Sequence, residues 1–336
     1  MKKLLAIFIS ALYISGMLSC SDKADTLTQL SRIDTYATLS SEPDAEYITI
    51  LGDLQTMVYE PNNRMYLVHT VNWLNKMQRS SNGQIKAVLQ NGDLTERNTE
   101  EEWNFVKSVF VDLGENVPLI YSTGNHDYDW ARNTESLVKI YSRNSTRINS
   151  FPIQESARQA LVERFESERL ENSLYSITVK GVDYYILALE FAPRAEVFEW
   201  AVELVKSNPD KPFIIINHEF LTDSGNRVQT EYSFAKIQIA DENYVAPKDV
   251  WEKLIYPYDN VRIIICGHNA VHGWRTDPNI AGRDVPQLMF NLQHYPHGGD
   301  GLVMMLKTCD GHKFSSTVFS TITGDTIHEV SRDFEL

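Results

Sequence analysis

Residues 261–274 read VRIIICGHNAVHGW, and the change of character inside this stretch decides the fold. Val261 to Cys266 is a strongly apolar run, of the kind that suits a strand buried on both faces in the core of an α/β protein. Gly267 and His268 follow at once, with His272 a little further on. Polar groups just past the end of a buried strand stand where α/β folds place their ligand sites. One pair of histidines decides nothing alone, because a surface loop carries such residues without purpose. The reading depends on what other strands deliver to the same edge.

Working outward, a regular alternation emerges. EYITIL (46–51) is a strand, NRMYLVHTVNWLNKM (63–77) has helical apolar spacing, and IKAVLQ (85–90) is a second strand. A helix then opens at Thr99-Glu100-Glu101-Glu102, a capping box ahead of WNFVKSVF, and VPLIYS (117–122) is a third strand. Such repetition argues for right-handed βαβ units and a parallel sheet. Residues 131–150 look irregular, and ESARQALVERFESER (155–169) reads as a helix. LYSITV and YYILALEF form a hairpin turning at Gly181, AEVFEWAVELVKS (195–207) is a helix, and KPFIIIN (211–217) is another buried strand. The polar stretch 221–247 fits neither period, and a short helix near 249–255 leads into Val261. VPQLMFNLQ, GLVMMLKT and KFSSTVFSTI read as antiparallel strands. No internal repeat or low-complexity linker interrupts this order, which favours one α/β domain over residues 46–336, two packed sheets with helices outside.

The strand ends share one property. Gly52-Asp53-Leu54-Gln55 follows the first strand, Asn91-Gly92-Asp93 the second, and Gly124-Asn125-His126-Asp127 the third. Asn217-His218-Glu219 and Gly267-His268 follow the next two core strands. Singly, Asp-Gly and Asn-Gly pairs make turns, and a lone His is most often a structural residue. Together they supply oxygen and nitrogen donors of the type that divalent Mn, Fe, Zn or Mg ions take, with glycines that let the backbone come close.

This series resembles the calcineurin-like metallophosphoesterases, whose pattern is Asp-x-His, Gly-Asp, Gly-Asn-His-Asp/Glu, a later His, and Gly-His-x-His. The resemblance runs in the correct order from residue 46 to about 320, with GNHD (124–127) its most specific piece and NGDLTE (91–96) the next. It implies a four-layer αββα sandwich of two mixed sheets flanked by helices, holding two divalent metal ions. It implies Asp53 and Gln55 as ligands of a first ion, Asp93 as the bridge, and Asn125, His218 and His268 as ligands of a second. His126 would stand near the phosphoryl group, oriented by Asp127. The implied reaction is hydrolysis of a phosphate ester by a metal-bound hydroxide attacking in line, with His126 stabilising charge or protonating the leaving group.

Two departures concern the same ion. Gln55 stands where the family's first motif has His, giving its Asp-x-Gln form, and Ala270 stands where Gly-His-x-His has its last His. His272 is then a displaced ligand, a substrate-facing group or a bystander. Arg275 and Arg283 suit surface salt bridges better than a phosphate, and His294 and His297 lie in a glycine-rich loop that either borders the site or merely connects.

The bulk numbers agree with a folded, exported protein. The 336 residues are 43% hydrophobic and carry a net charge of −14, which argues against a nucleic-acid surface. Met1-Lys2-Lys3 and a short apolar run end at MLSC, and Ser19-Cys20 resembles a bacterial lipobox. The expectation is a lipoprotein signal peptide over 1–20, lipidation at Cys20, a tether over 21–45, and a domain held at the cell envelope through a lipid anchor. Cys266 and Cys309 are too few for a disulfide framework and read as small core residues. Ser-based hydrolysis finds no Gly-x-Ser-x-Gly after a strand. The rival to a phosphoesterase of small phosphorylated substrates is a lipoprotein that binds a phosphate-bearing ligand without turnover, its first metal site degenerate.

Overall fold

The computed structural model describes residues 42–80, 83–132, 139–150, 153–234, 243–269 and 271–336. The leader, Cys20 and Ala270 lie outside these residues, as does the tether up to residue 41. The last tether residues already belong to the fold: Lys307 donates to the Glu42 carboxylate at 3.1 Å, and Ala45 is buried.

β1 (Glu46–Leu51) leads through α1 (Gln55–Tyr59) and α2 (Arg64–Ser80) to β2 (Ile85–Gln90), then through α3 (Glu100–Asn116) to β3 (Leu119–Tyr121). A small antiparallel pair, β4 (Trp130–Arg132) and β5 (Lys139–Tyr141), precedes α4 (Glu155–Ala160) and β6 (Leu161–Arg164). β7 (Ser173–Val179), β8 (Val182–Ala188), α5 (Ala195–Ser207) and β9 (Phe213–Ile216) follow. A helical segment, α6 (Pro247–Val250), runs on as a π-helical turn (Trp251–Ile255) into β10 (Val261–Cys266). Five strands complete the chain: β11 (Val271–Pro278), β12 (Asp284–Asn291), β13 (Leu302–Thr308), β14 (Lys313–Ser320) and β15 (Thr326–Glu335).

These form two mixed sheets, one of six strands in the order β15-β14-β13-β1-β2-β3 and one of seven in the order β11-β12-β10-β9-β8-β7-β6. β1, β2 and β3 run parallel, and so do β8, β9, β10 and β12. Their carboxyl ends therefore gather at one end of each sheet. β9 shows how an all-apolar run is used: Ile214 and Ile216 face the other sheet, beside Ile48, Leu89 and Ile265. Phe213 and Ile215 face outward onto Val197, Ala201 and Leu254. Period-two alternation thus feeds two apolar layers at once. The capping box of α3 is present, with Glu102 N–H donating to Thr99 Oγ1 at 3.3 Å and Thr99 N–H to Glu102 at 3.0 Å.

At the carboxyl end the sheets are tied together by Asn91. Its Nδ2 donates to the Cys266 carbonyl at 2.7 Å and to the Phe290 carbonyl at 2.9 Å, fully buried. Asn91→Ala is expected to lower stability by about 1–3 kcal/mol, the scale of two buried hydrogen bonds, read as a shift of the urea midpoint at unchanged slope.

Three expectations are corrected. The helix read over 155–169 ends at Ala160, and Leu161–Arg164 becomes an edge strand paired with β7, an outlet the local pattern does not show. VPQLMFNLQ pairs parallel to β10 and antiparallel only to β11, so β12 is another strand that ends at the site edge. Cys309 is exposed on the surface, because the turn after β13 carries it out of the core, whereas Cys266 is buried as expected.

Candidate metal centre

Each strand end delivers its side chain to one small volume. Asp53 follows β1 and is buried, its two oxygens accepting the His268 backbone N–H at 3.3 and 3.1 Å. Gln55 opens α1 and donates through Nε2 to Asp93 Oδ2 at 2.9 Å. Asp93 follows β2, accepts the His126 backbone N–H at Oδ1 at 2.9 Å, and lies 3.3 Å from His218 Nε2. Asn125 donates weakly to the Tyr141 hydroxyl at 3.3 Å, which turns its Oδ1 towards His268 Nδ1 at 2.9 Å. Asp93 and His268 both hold positive φ, 55° and 66°, strained conformations for residues with a Cβ.

The tautomers follow from these bonds. His218 Nδ1 lies 2.9 Å from the Asn91 carbonyl, which can only accept, so Nδ1 carries a proton and Nε2 is the nitrogen turned towards Asp93. The same Nε2 lies 3.3 Å from His268 Nδ1. Ligand atoms of Asp93, His218 and His268 all lie within 4.8 Å of one another. Glycines make this closeness sterically workable: a Cβ at Gly124 would fall 2.1 Å from Asp93 Oδ1, and one at Gly267 would fall 2.1 Å from Asp53 Oδ1.

The electrostatics are those of a site short of positive charge. Burial, reinforced by the charge of Asp93, pushes Asp53 well above the usual carboxylate range against the pull of His218. Burial also works against Asp93, yet the neighbouring His218, His126 and His268 hold it below its ordinary value. Burial opposes a charge on His218 too, but Asp93 and Asp53 raise it to about 10, while burial and His218 together press His268 down to about 3. Gln55 Oε1 and Asn91 Oδ1 are buried without a hydrogen-bond partner. Carboxylates, carboxamide oxygens and imidazole nitrogens converging in this way fit divalent cations.

His126 is partly exposed, and its Nδ1 sits 2.9 Å from the Glu96 carbonyl and 3.3 Å from Glu96 Oε2. The ring is thus oriented by Glu96, and Nε2 is the nitrogen left for chemistry. The expectation that Asp127 orients it is corrected. Asp127 points back into its own turn and accepts from Gly124 N at 2.9 Å, Thr95 N at 2.8 Å, Thr95 Oγ1 at 3.0 Å and Leu94 N at 3.2 Å. It braces the loop after β2 against the loop after β3. Burial and the Asp93 charge raise it to about 6, against those backbone N–H groups.

His272 goes elsewhere. It stands opposite Phe290 in the β11–β12 register and lines a cavity of about 180 Å³ with Trp274, Leu288, Met304 and Arg332. Arg275 pairs with Asp277, Arg283 with Asp259, and His297 with Asp300 while stacking on Tyr66. His294 is exposed.

Three participants escape the reading of the sequence. Glu96 lies within the quoted NGDLTE run. Asn291 and Gln293 come from the end of β12: Asn291 Nδ2 donates to Asp53 Oδ2 at 2.8 Å, and Gln293 Oε1 accepts from Gln55 Nε2 at 2.5 Å. The signal was the polar FNLQ after an apolar run, visible once β12 is taken as parallel. On the other flank, Phe234 meets the His268 ring edge-on at 4.6 Å and is held there by Glu219, which accepts from Phe234 N at 2.7 Å and Ser233 Oγ at 2.8 Å.

The chain belongs to the calcineurin-like phosphoesterase family, whose profile matches residues 47–272. Over 273 residues it is 22% identical to the uncharacterized protein YvnB of Bacillus subtilis (strain 168), covering 79% of this chain and 19% of that protein. Over 201 residues it is 27% identical to a probable cyclic nucleotide phosphodiesterase of Colwellia psychrerythraea (strain 34H), covering 59% of this chain and 60% of the relative. It therefore spans less than two thirds of either relative's length. Among solved structures, a purple acid phosphatase from yellow lupin seeds shares the fold, with a TM-score of 0.52 at 15% identity over 87% of this chain and 54% of that one.

Proposed function

We propose that this protein is a metal-dependent hydrolase of small phosphate esters, working at a two-ion site, exported and tethered through Cys20. The observation that carries the reading is the convergence of Asp53, Gln55, Asp93, Asn125, His218 and His268 from five strand ends onto one buried cluster. A pair of divalent cations supplies neutralisation of the phosphate and an ionised water near neutral pH. Asp53 and Gln55 would hold the first ion, Asp93 would bridge, and Asn125, His218 and His268 would hold the second. Asn91 fixes the His218 tautomer, and Asp127 keeps the two loops that carry Asp93 and His126 in register. His126 Nε2, with Nδ1 held by Glu96, is placed to stabilise charge on the phosphoryl oxygens or to give a proton to the leaving oxygen. The relative named as a probable cyclic nucleotide phosphodiesterase makes a phosphodiester the first substrate to test.

One observation favours a second reading, binding without turnover: amide nitrogens of Gln55 and Asn291 already sit on Asp93 and Asp53. A panel of chromogenic phosphomonoesters and diesters, assayed with Mn, Fe, Zn and Mg alongside metal content, separates the two. A protein loaded with two ions that hydrolyses none of the panel would sink the catalytic reading. His126→Ala should keep both ions while its rate falls by about 10²-fold or more; loss of metal from this variant would contradict the role given to it. For the tether, Cys20→Ala should move the protein out of the detergent phase, and unchanged partitioning would rule lipidation out.

A further inference from the structure

The environment of Gln55 is unusual for a buried amide. Its Nε2 stands between two oxygens, Asp93 Oδ2 at 2.9 Å and Gln293 Oε1 at 2.5 Å, while its own Oε1 is buried with no partner. Gln293 is not there by chance of a loose loop. Its backbone N–H donates to Asn291 Oδ1 at 2.9 Å, and Asn291 in turn donates to Asp53 Oδ2 at 2.8 Å and to the His268 carbonyl at 3.1 Å. The end of β12 is therefore locked onto the carboxylate of the first strand. Between Asp93 and Gln293 two oxygens, one of them a carboxylate's, face one another across the Gln55 amide N–H. A half-turn of the Gln55 amide exchanges its nitrogen and oxygen. That would bring a third oxygen to the same spot, an arrangement that a cation alone makes favourable.

We propose that Gln293 is a ligand of the ion beside Asp53, so that Asp53, Gln55, Asp93 and Gln293 hold this ion through oxygens only. A carboxamide just past β12 thus takes the place of an imidazole, and His272, in its cavity against Trp274 and Met304, takes no part. Oxygen-only sets suit harder ions, so this position should prefer Mn²⁺ or Mg²⁺ to Zn²⁺, while the ion at His218 and His268 keeps nitrogen donors. The inference rests on the metal-dependent reading above.

The test is calorimetric titration of the metal-free, full-length protein with Mn²⁺ and with Zn²⁺, with the Mn²⁺ electron paramagnetic resonance spectrum as a second readout. The wild type should show two separated affinities. Gln293→Ala should weaken the looser one by roughly 10-fold or more and leave the tighter one unchanged. Gln293→Glu, which keeps an oxygen and adds charge, should hold that ion at least as tightly as the wild type. A protein with two sites whose looser affinity is untouched by Gln293→Ala would overturn this assignment and leave the proposed function standing. Equal weakening of both sites, or a looser site that prefers Zn²⁺ to Mn²⁺, would overturn it equally. A wild type that binds no ion at all would overturn both.

Discussion

Asp93→Ala is expected to remove metal and activity together, with a rate fall on the order of 10³-fold or more, beyond that of losing a single charge-stabilising donor. Asp93 is the node of the cluster. Its Oδ1 accepts the His126 backbone N–H, and its Oδ2 accepts Gln55 Nε2 and faces His218 Nε2. Alanine there takes an acceptor from all three groups, leaving Gln55 Nε2 only Gln293 Oε1, and would deprive the two proposed ions of the carboxylate assigned to both. The metal-free protein should suffer as well, by about 3–5 kcal/mol, the scale for breaking one side of a buried ion pair. Elemental analysis of the purified variant, hydrolysis of the best panel substrate and urea unfolding check the three parts. An Asp93→Ala protein with two ions still bound would remove Asp93 from its assigned place.

Gly124→Ala should be nearly as damaging although it adds one methyl group. The Gly124 backbone, with φ of −104° and ψ of 179°, would accept alanine, so the effect is steric alone. The added Cβ would lie 2.1 Å from Asp93 Oδ1 and 2.3 Å from Asp93 N. The second atom is backbone and cannot swing aside, so the loop after β3 must move away from the loop after β2. That motion breaks the Asp127 bonds to Leu94 and Thr95. A loss of about 3 kcal/mol, the upper part of the range for overpacking, together with weaker metal binding, is the expected outcome. Wild-type melting and metal content in this variant would contradict it.

The half of the site on β1, β2 and β3 was legible because each strand is a short apolar run that stops at a glycine and an acid or amide. The fold followed from the same runs, since strands buried on both faces need a layer on each side. What stayed hidden needed the tertiary pairing. β6 takes its form from the free edge of β7, and Leu161 to Arg164 would suit a helix equally well. Asn291 and Gln293 became visible only when β12 turned out to run parallel to β10. Glu96 was overlooked for a different reason: the side chain next to His126 in sequence, Asp127, is spent on backbone N–H groups, and the ring reaches back across the turn instead. His272 shows the converse: close to His268 in sequence, it lines the cavity with Trp274 and Met304 instead.

Asn91 ties the sheets at the end where the ions would bind, and the proposed ligands are divided across the same seam. Asp53, Gln55, Asp93 and Asn125 hang from the six-stranded sheet, and His218, His268 and Gln293 from the seven-stranded one. A bound ion would then act as a rivet through both plates of the sandwich, and prying the plates apart would expel it. Mechanical integrity and occupancy become one variable at this edge. At 100 times the dissociation constant, a ligand that binds only the folded form adds about 2.7 kcal/mol. The melting temperature should therefore climb as metal is supplied, and starvation for metal would be felt first as a loosening of this seam.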